Sequence, residues 1–408
     1  MKGRGSRSAR IAKVGIALAG GGPLGAVYEI GALLALETAL KGLNLADCDI
    51  YVGVSSGAFI AAGLANGISP SEMHAMFILD RSHSDPFEPD MLLRPALGEF
   101  ARRLMRLPEL MQSAAWAYFA PAPTRGFVES FLRLTRGLPN GLFDNAPIAE
   151  YLQRLFGQPG RTDDFRKLGR RLFIVATDLD SGKSTPFGAP GLDHVPISEA
   201  VKASSALPGL YPPARIGDHD YVDGALKKTL HASVALKEGA RLLICVNPLV
   251  PYDAELAARR GAKQVRLADR GLVTVLSQTF RALIHSRMRV GMERYDREFP
   301  DADVVLFEPA QDDPVMFFAN IFRYADRRRL AEHAYRHTLL ELKRRADELA
   351  PILKRHGVEL DHAALDAPPP MPKESNGARG SWVSREPLDT ALRQLERALR
   401  RDEAGGVG

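Results

Sequence analysis

Ile50-Tyr51-Val52-Gly53-Val54-Ser55-Ser56-Gly57-Ala58-Phe59-Ile60 opens as a β-branched and aromatic run, breaks at Gly-x-Ser-x-Gly and resumes as an alanine-rich helical pattern. That order predicts a strand, a sharp turn and a helix, an elbow that holds its middle serine in strained geometry with the hydroxyl exposed. Gly53 and Gly57 lack the Cβ atoms that would collide across such a turn. Ser55 then stands at a helix N-terminus, where the dipole and unpaired N–H groups favour the negative charge that develops when a hydroxyl attacks a carbonyl. The same five residues also fit a small-residue turn between buried elements, so the reading depends on what the rest of the chain supplies.

Working outward, residues 14–19 read as a buried strand. Gly20-Gly21-Gly22-Pro23-Leu24-Gly25 follows, then a helix over about 26–40 with Ile30, Leu33, Leu34 and Leu36 on its apolar positions. This β-loop-α unit feeding the strand before Ser55 predicts βαβα with a parallel sheet. Both the glycine loop and the serine turn fall at strand C-terminal ends, where open α/β sheets bind ligands.

Downstream the pattern predicts helices over 144–156 and 197–204, strands over 171–177, 242–246 and 303–307, and a strand end at Tyr221-Val222-Asp223-Gly224. Longer helices are expected over 266–295 and 327–349. Residues 69–136 change character to short Met-, Leu-, Phe- and Arg-rich helices broken by prolines, and read as a helical lid inserted in a domain spanning 13–350. Within the lid, the 97–119 segment is basic and amphipathic with adjacent aromatics, which suits contact with a membrane surface or a lid helix packed on its own core. A basic tail at 1–12, a Pro/Gly-rich linker at 365–387 and a leucine-seamed helix at 388–402, suited to self-association or to docking back on the domain, complete the chain.

The chain has 408 residues, 45% of them hydrophobic, and a net charge of +5. That length and composition can bury a sizeable core and exclude overall disorder. Its arginines lie on helical stretches and not in aromatic-interleaved basic runs, so nucleic acid is not an expected partner. Cys48 and Cys245 sit in or beside apolar runs and are expected as buried thiols in a reducing compartment. The basic N-terminus before residues 14–19 imitates a signal peptide, but its apolar run stops at Gly20-Gly21-Gly22. No run reaches the roughly 20 apolar residues of a spanning helix. The expectation is a cytoplasmic protein, peripheral at the inner face of the membrane.

A serine nucleophile needs a base for its proton and donors for the oxyanion. Gly20-Gly21-Gly22 offers bare backbone N–H groups at the start of a helix, and since Pro23 has none, Gly21 and Gly22 are the candidate donors. Asp223 is the candidate base, at a strand end where Gly224 permits the tight turn that would aim its carboxylate toward Ser55.

Four stretches in this order resemble the patatin-like phospholipase family: Gly20 to Gly25, Gly53-Val54-Ser55-Ser56-Gly57, Ala203-Ser204-Ser205-Ala206-Leu207-Pro208-Gly209, and Asp223-Gly224-Ala225. The resemblance covers about residues 14–250. It implies a three-layer α/β/α fold with a mostly parallel central sheet, and hydrolysis of lipid acyl esters by a serine–aspartate dyad with no cofactor; separately, no His, Cys or carboxylate cluster in the sequence has metal-ligand spacing. By that resemblance Ser55 is the nucleophile, Asp223 the base, Gly21 and Gly22 the oxyanion donors, and Gly20, Gly25, Gly53, Gly57 and Gly224 the supporting turns. The family usually has a basic residue where this chain has Leu24, which bears on rate and headgroup choice.

Several rival readings follow from the same residues. Gly20-x-Gly22-x-x-Gly25 after a strand matches a dinucleotide fingerprint, but the acidic residue that would hold the ribose belongs at the end of the second strand, where this chain has Gly53-Val54-Ser55. A Ser-Asp-His triad would draw on His231, just before a predicted helix, whereas His285, His333 and His337 lie mid-helix among arginines. Leu24 motivates a catalytically silent lipid- or protein-binding module. An acyltransferase would use the same site if an alcohol captured the acyl-serine.

Overall fold

The computed structural model describes residues 13–81, 87–99, 139–319 and 326–366. The 1–12 tail, most of the 97–119 segment, and the 388–402 helix lie outside these residues, as does nearly all of the 365–387 linker.

The central strand is β1 (Lys13–Leu18), buried at every position after Lys13. Burial on both faces is what a parallel strand covered by helices requires, and it explains why the run is continuously apolar. Parallel to β1 on either side lie β3 (Ile50–Gly53) and β8 (Ala240–Val246). β4 (Arg171–Asp178) continues the parallel set beyond β3, and β9 (Asp303–Phe307) beyond β8. The far edge turns antiparallel: β7 (His219–Asp223) and β5 (Ser184–Phe187) both pair β4, and β6 (Ala214–Ile216) pairs β7. The resulting order is β6-β7-β4-β3-β1-β8-β9, a mostly parallel eight-stranded sheet with β5 off the path. A separate two-stranded ribbon joins β2 (Leu40–Lys41) to β10 (Glu359–Leu360).

Alternate residues of the strands face two helical layers. One face carries Ala17, Val52, Val175 and Cys245 against the helix Ala232–Lys237 and the Met288–Tyr295 portion of the helix Leu272–Glu298. On the other face the helix Gly22–Ala39 packs against Ser56–Ala65 and Arg327–Arg344. The fold is therefore α/β in three layers, and both cysteines are buried thiols that form no disulfide.

Element boundaries differ from the pattern-based expectation for identifiable reasons. The first helix begins at Gly22 and not near residue 26, because Pro23 fits a first helical turn and extends it into the glycine loop. The expected 266–295 helix starts at Leu272, since Gly271 takes φ 84° and breaks the periodic run. Arg345 interrupts the 327–349 helix, giving Arg327–Arg344 and Ala346–Arg355. β5 and β6 are short, and their residues carry no alternation that would have marked them. The described parts of the 69–136 insertion include a short helix Pro70–Met73, a π turn His74–Ile78 and a 3-10 turn Pro89–Leu93.

Candidate active site

β3 ends at Gly53, and Ser55 immediately caps the helix Ser56–Ala65 with φ 53° and ψ −124°. A non-glycine residue at positive φ is strained, and the neighbouring packing holds it there. A Cβ on Gly57 would stand 2.5 Å from the carbonyl oxygens of both Leu18 and Ala19, and one on Gly53 would stand 2.5 Å from the Gly57 oxygen. Only glycine lets β1 and the new helix approach this closely around the serine. A further clamp comes from Ser204, whose Oγ accepts from the Ser55 N–H at 2.8 Å and donates to the Val175 carbonyl at 2.7 Å.

Asp223 closes β7 and is buried. One carboxylate oxygen accepts from the Ala225 N–H at 2.8 Å, which fixes the side chain in its turn. Its own N–H donates to the Ala206 carbonyl at 3.0 Å, tying this loop to the stretch that carries Ser204. Gly224 is required here, since a Cβ on it would lie 2.1 Å from the Val175 oxygen. Burial pushes the Asp223 carboxyl up to about 6, against hydrogen bonds from Ser55 and from Ala225 that favour the ionised form. The Ser55 hydroxyl and the Asp223 carboxylate thus stand near one another at the same end of the sheet.

The glycine loop meets this pair from the other side. A Cβ on Gly20 would lie 3.0 Å from the Ser55 Cβ and 3.6 Å from its Oγ, so the loop backbone runs directly against Ser55. Gly21 is the N-cap of the helix Gly22–Ala39, which presents first-turn N–H groups with no intrahelical acceptor. A side chain on Gly21 would strike Pro248 at 2.6 Å, and one on Gly25 would crowd it at 3.1 Å. Gly20, Gly21, Gly22, Ser55 and Asp223 all line one cavity of about 530 Å³. Leu24 is buried in the first helical turn and is not among the lining residues.

Beyond this polar floor the walls are apolar. Phe59, Phe77 and Phe87 stack edge to face at 5.3 and 5.4 Å between ring centres, and Met91, Leu207, Ile60 and Ile148 extend the surface. Among the described lining residues Arg281 is the only cation; it donates to the Val250 carbonyl at 3.2 Å and lies over the Phe317 ring. Burial lowers its pKa to about 10.

His231 lies outside this pair. It precedes the helix Ala232–Lys237 with φ 45°, and its Nε2 faces the Gly224 carbonyl at 3.4 Å. Burial lowers it to about 4, so the ring is neutral near pH 7. His285 faces Glu308, and His333 pairs with Asp313. Among the described residues, no group of three or more His, Cys, Asp or Glu side chains is placed to hold a metal ion.

The structural role of Ser204 and the charge of Arg281 were not apparent from sequence. Ser204 is one small residue in a Ser- and Ala-rich stretch and Arg281 one arginine on a helix that carries several, so neither context marks its role.

The patatin-like phospholipase family model matches residues 16–236, and the chain belongs to that family. Lipid-ester hydrolysis is accordingly the chemistry that this site must be weighed against. Solved structures to which the chain is similar include VipD from Legionella pneumophila, at 14% identity and a TM-score of 0.36, covering 81% of this chain and 67% of that one. Another is ExoU of the Pseudomonas aeruginosa type III secretion system, solved with SpcU, at 18% identity and a TM-score of 0.26. That alignment covers 80% of this chain and 52% of ExoU, so the chain spans about half the length of ExoU. No curated protein matches the sequence.

Proposed function

We propose that the chain is a serine lipid acyl hydrolase, of phospholipase or lysophospholipase type, working through a Ser55–Asp223 dyad. Ser55 Oγ attacks the ester carbonyl while Asp223 takes its proton. The N–H groups of Gly21 and Gly22 hold the oxyanion, helped by the positive end of the helix Gly22–Ala39. The proton passes from Asp223 to the leaving alcohol, which departs and leaves acyl-Ser55. Asp223 then draws a proton from water, whose oxygen attacks the acyl carbon, and the fatty acid leaves as Ser55 recovers its proton.

The observation that carries this reading is Ser55, held at positive φ, lining the same apolar cavity as a buried Asp223 whose pKa its hydroxyl lowers. A base held at about 6 is ionised at neutral pH yet binds a proton more readily than an ordinary carboxylate, as general-base catalysis needs. The cavity volume lies within the roughly 300–1,000 Å³ of small-molecule sites, and its aromatic and aliphatic walls suit an acyl chain. Arg281 adds one positive charge to the wall, which favours an anionic lipid.

The test is hydrolysis of p-nitrophenyl esters of medium-chain acids by the full chain. Wild type is expected to turn over and Ser55→Ala to be inactive; equal rates in the two across several chain lengths would defeat the reading.

A further inference from the structure

Among the described residues, no helix is long and apolar enough to cross a membrane. The helix Leu272–Glu298 nevertheless has an unusual outer surface. At about 100° per residue, Leu272, Leu276, Leu283 and Val290 fall within about 40° of one another, with Phe280 and Val273 beside them. This stripe points away from the buried side, which carries Ile284, His285, Met288 and Tyr295. It is open: Leu272 is 72% exposed, Val273 82%, Leu276 53%, Phe280 46% and Leu283 60%. A run of large apolar side chains on the solvent side of a helix marks an interaction surface.

Two features identify its occupant. First, the stripe is continuous with the catalytic cavity, because Leu276 and Phe280 line that cavity while remaining half exposed. Second, the chain from Arg259 to Arg289 carries eight basic residues and a single acidic one, Asp269. Lys263, Arg266, Arg287 and Arg289 are exposed, with no carboxylate partner among the described residues. A second copy of the same face would bring like charges together, whereas an anionic bilayer complements both the apolar stripe and its basic flanks.

We propose that the Leu272–Leu283 face is a membrane-docking surface that beds in the headgroup–acyl boundary of an anionic bilayer and sets the cavity mouth directly on the lipid. The inference rests on the lipid-hydrolase reading for its purpose but not for its measurement. It places membrane contact on a helix behind the catalytic residues in sequence, separate from the 97–119 segment.

The experiment is co-sedimentation of the full chain with vesicles of phosphatidylcholine alone or with added phosphatidylglycerol. Binding is expected to the anionic vesicles, to weaken as salt rises, and to persist in Ser55→Ala. The double variant Val273→Asp, Leu283→Asp alters residues outside the cavity lining. It is expected to bind about tenfold or more weakly while hydrolysing a water-soluble short-chain ester at the wild-type rate. Leu272→Trp, which preserves the apolar stripe, is expected to add a blue shift of fluorescence on anionic vesicles relative to the parent chain. Unchanged binding by the double variant, or no added shift at residue 272, would overturn the proposal. So would a wild-type dimer that the double variant converts to monomer without any vesicle binding, since the face would then join copies of the chain. Vesicle binding without ester hydrolysis would uphold docking and defeat the hydrolase reading; hydrolysis without binding would do the reverse.

Discussion

Replacing Asp223 by asparagine changes one oxygen to an amide and should separate catalysis from stability. The amide oxygen can still accept from the Ala225 N–H, and the amide nitrogen can donate to Ser55 Oγ, so the turn keeps its hydrogen bonds. What disappears is a buried charge. Burial raises the Asp223 carboxyl from its ordinary 3.8 to about 6. In the window between those values the unfolded chain has released its proton while the folded chain keeps it. Stability therefore falls as pH rises from 3.8 to about 6 and stays lower above it. At 1.36 kcal/mol per pH unit the full effect is about 3 kcal/mol. Asp223→Asn should accordingly melt about 5 °C above wild type near pH 8, with the gain shrinking toward pH 4.5. In the same preparation ester hydrolysis should fall about 1,000-fold, because the proton acceptor is gone. Thermal melts across that pH range, with initial rates on a p-nitrophenyl ester, give both readouts. A variant that melts below wild type at every pH, or that keeps its rate within tenfold, would refute the reasoning.

Three other substitutions probe the surroundings of Ser55 and Asp223 and the core. Ser204→Ala leaves the Ser55 N–H and the Val175 carbonyl without their shared partner, and should cost about 2 kcal/mol of stability and about tenfold in kcat, measured by denaturant melts and ester kinetics. His231→Asn should keep hydrolysis within about threefold, because the ring reaches only the Gly224 backbone and asparagine tolerates the positive φ; a 100-fold loss in a folded variant would make the histidine part of the mechanism. Glu29 is buried with both carboxylate oxygens unpartnered, and burial holds its carboxyl well above its ordinary 4.5. Its folded form keeps a proton that the unfolded chain loses, so stability falls as pH rises above 4.5, and Glu29→Gln should raise the melting temperature more at pH 8 than at pH 5.

The parallel half of the fold was legible because its strands are buried on both faces and therefore spell continuous apolar runs, as residues 14–19 and 242–246 do. β5 and β6 were not, since Ser184–Phe187 and Ala214–Ile216 are held by pairing to β4 and β7 and not by an apolar pattern. At the site, glycines reported the turns well: those flanking Ser55 and the one after Asp223 each stand where a Cβ would meet backbone. The Ser204 clamp was illegible in its details because a serine between helix and strand reads like any small residue. Nor could periodicity reveal that the helix beginning at Leu272 turns an apolar stripe outward, since which side of a helix meets the core is set by its neighbours. Leu24 packs inward in the first turn and is not part of the cavity wall, so no cation stands at that position.

The claim on which the rest depends is that Ser55 is the nucleophile, and a fluorophosphonate probe tests it in one step. Incubation with the full chain followed by peptide mass spectrometry should find a single adduct, on Ser55, that is absent from Ser55→Ala. Labelling that persists in Ser55→Ala, or a folded wild type that takes up no probe, would contradict the account.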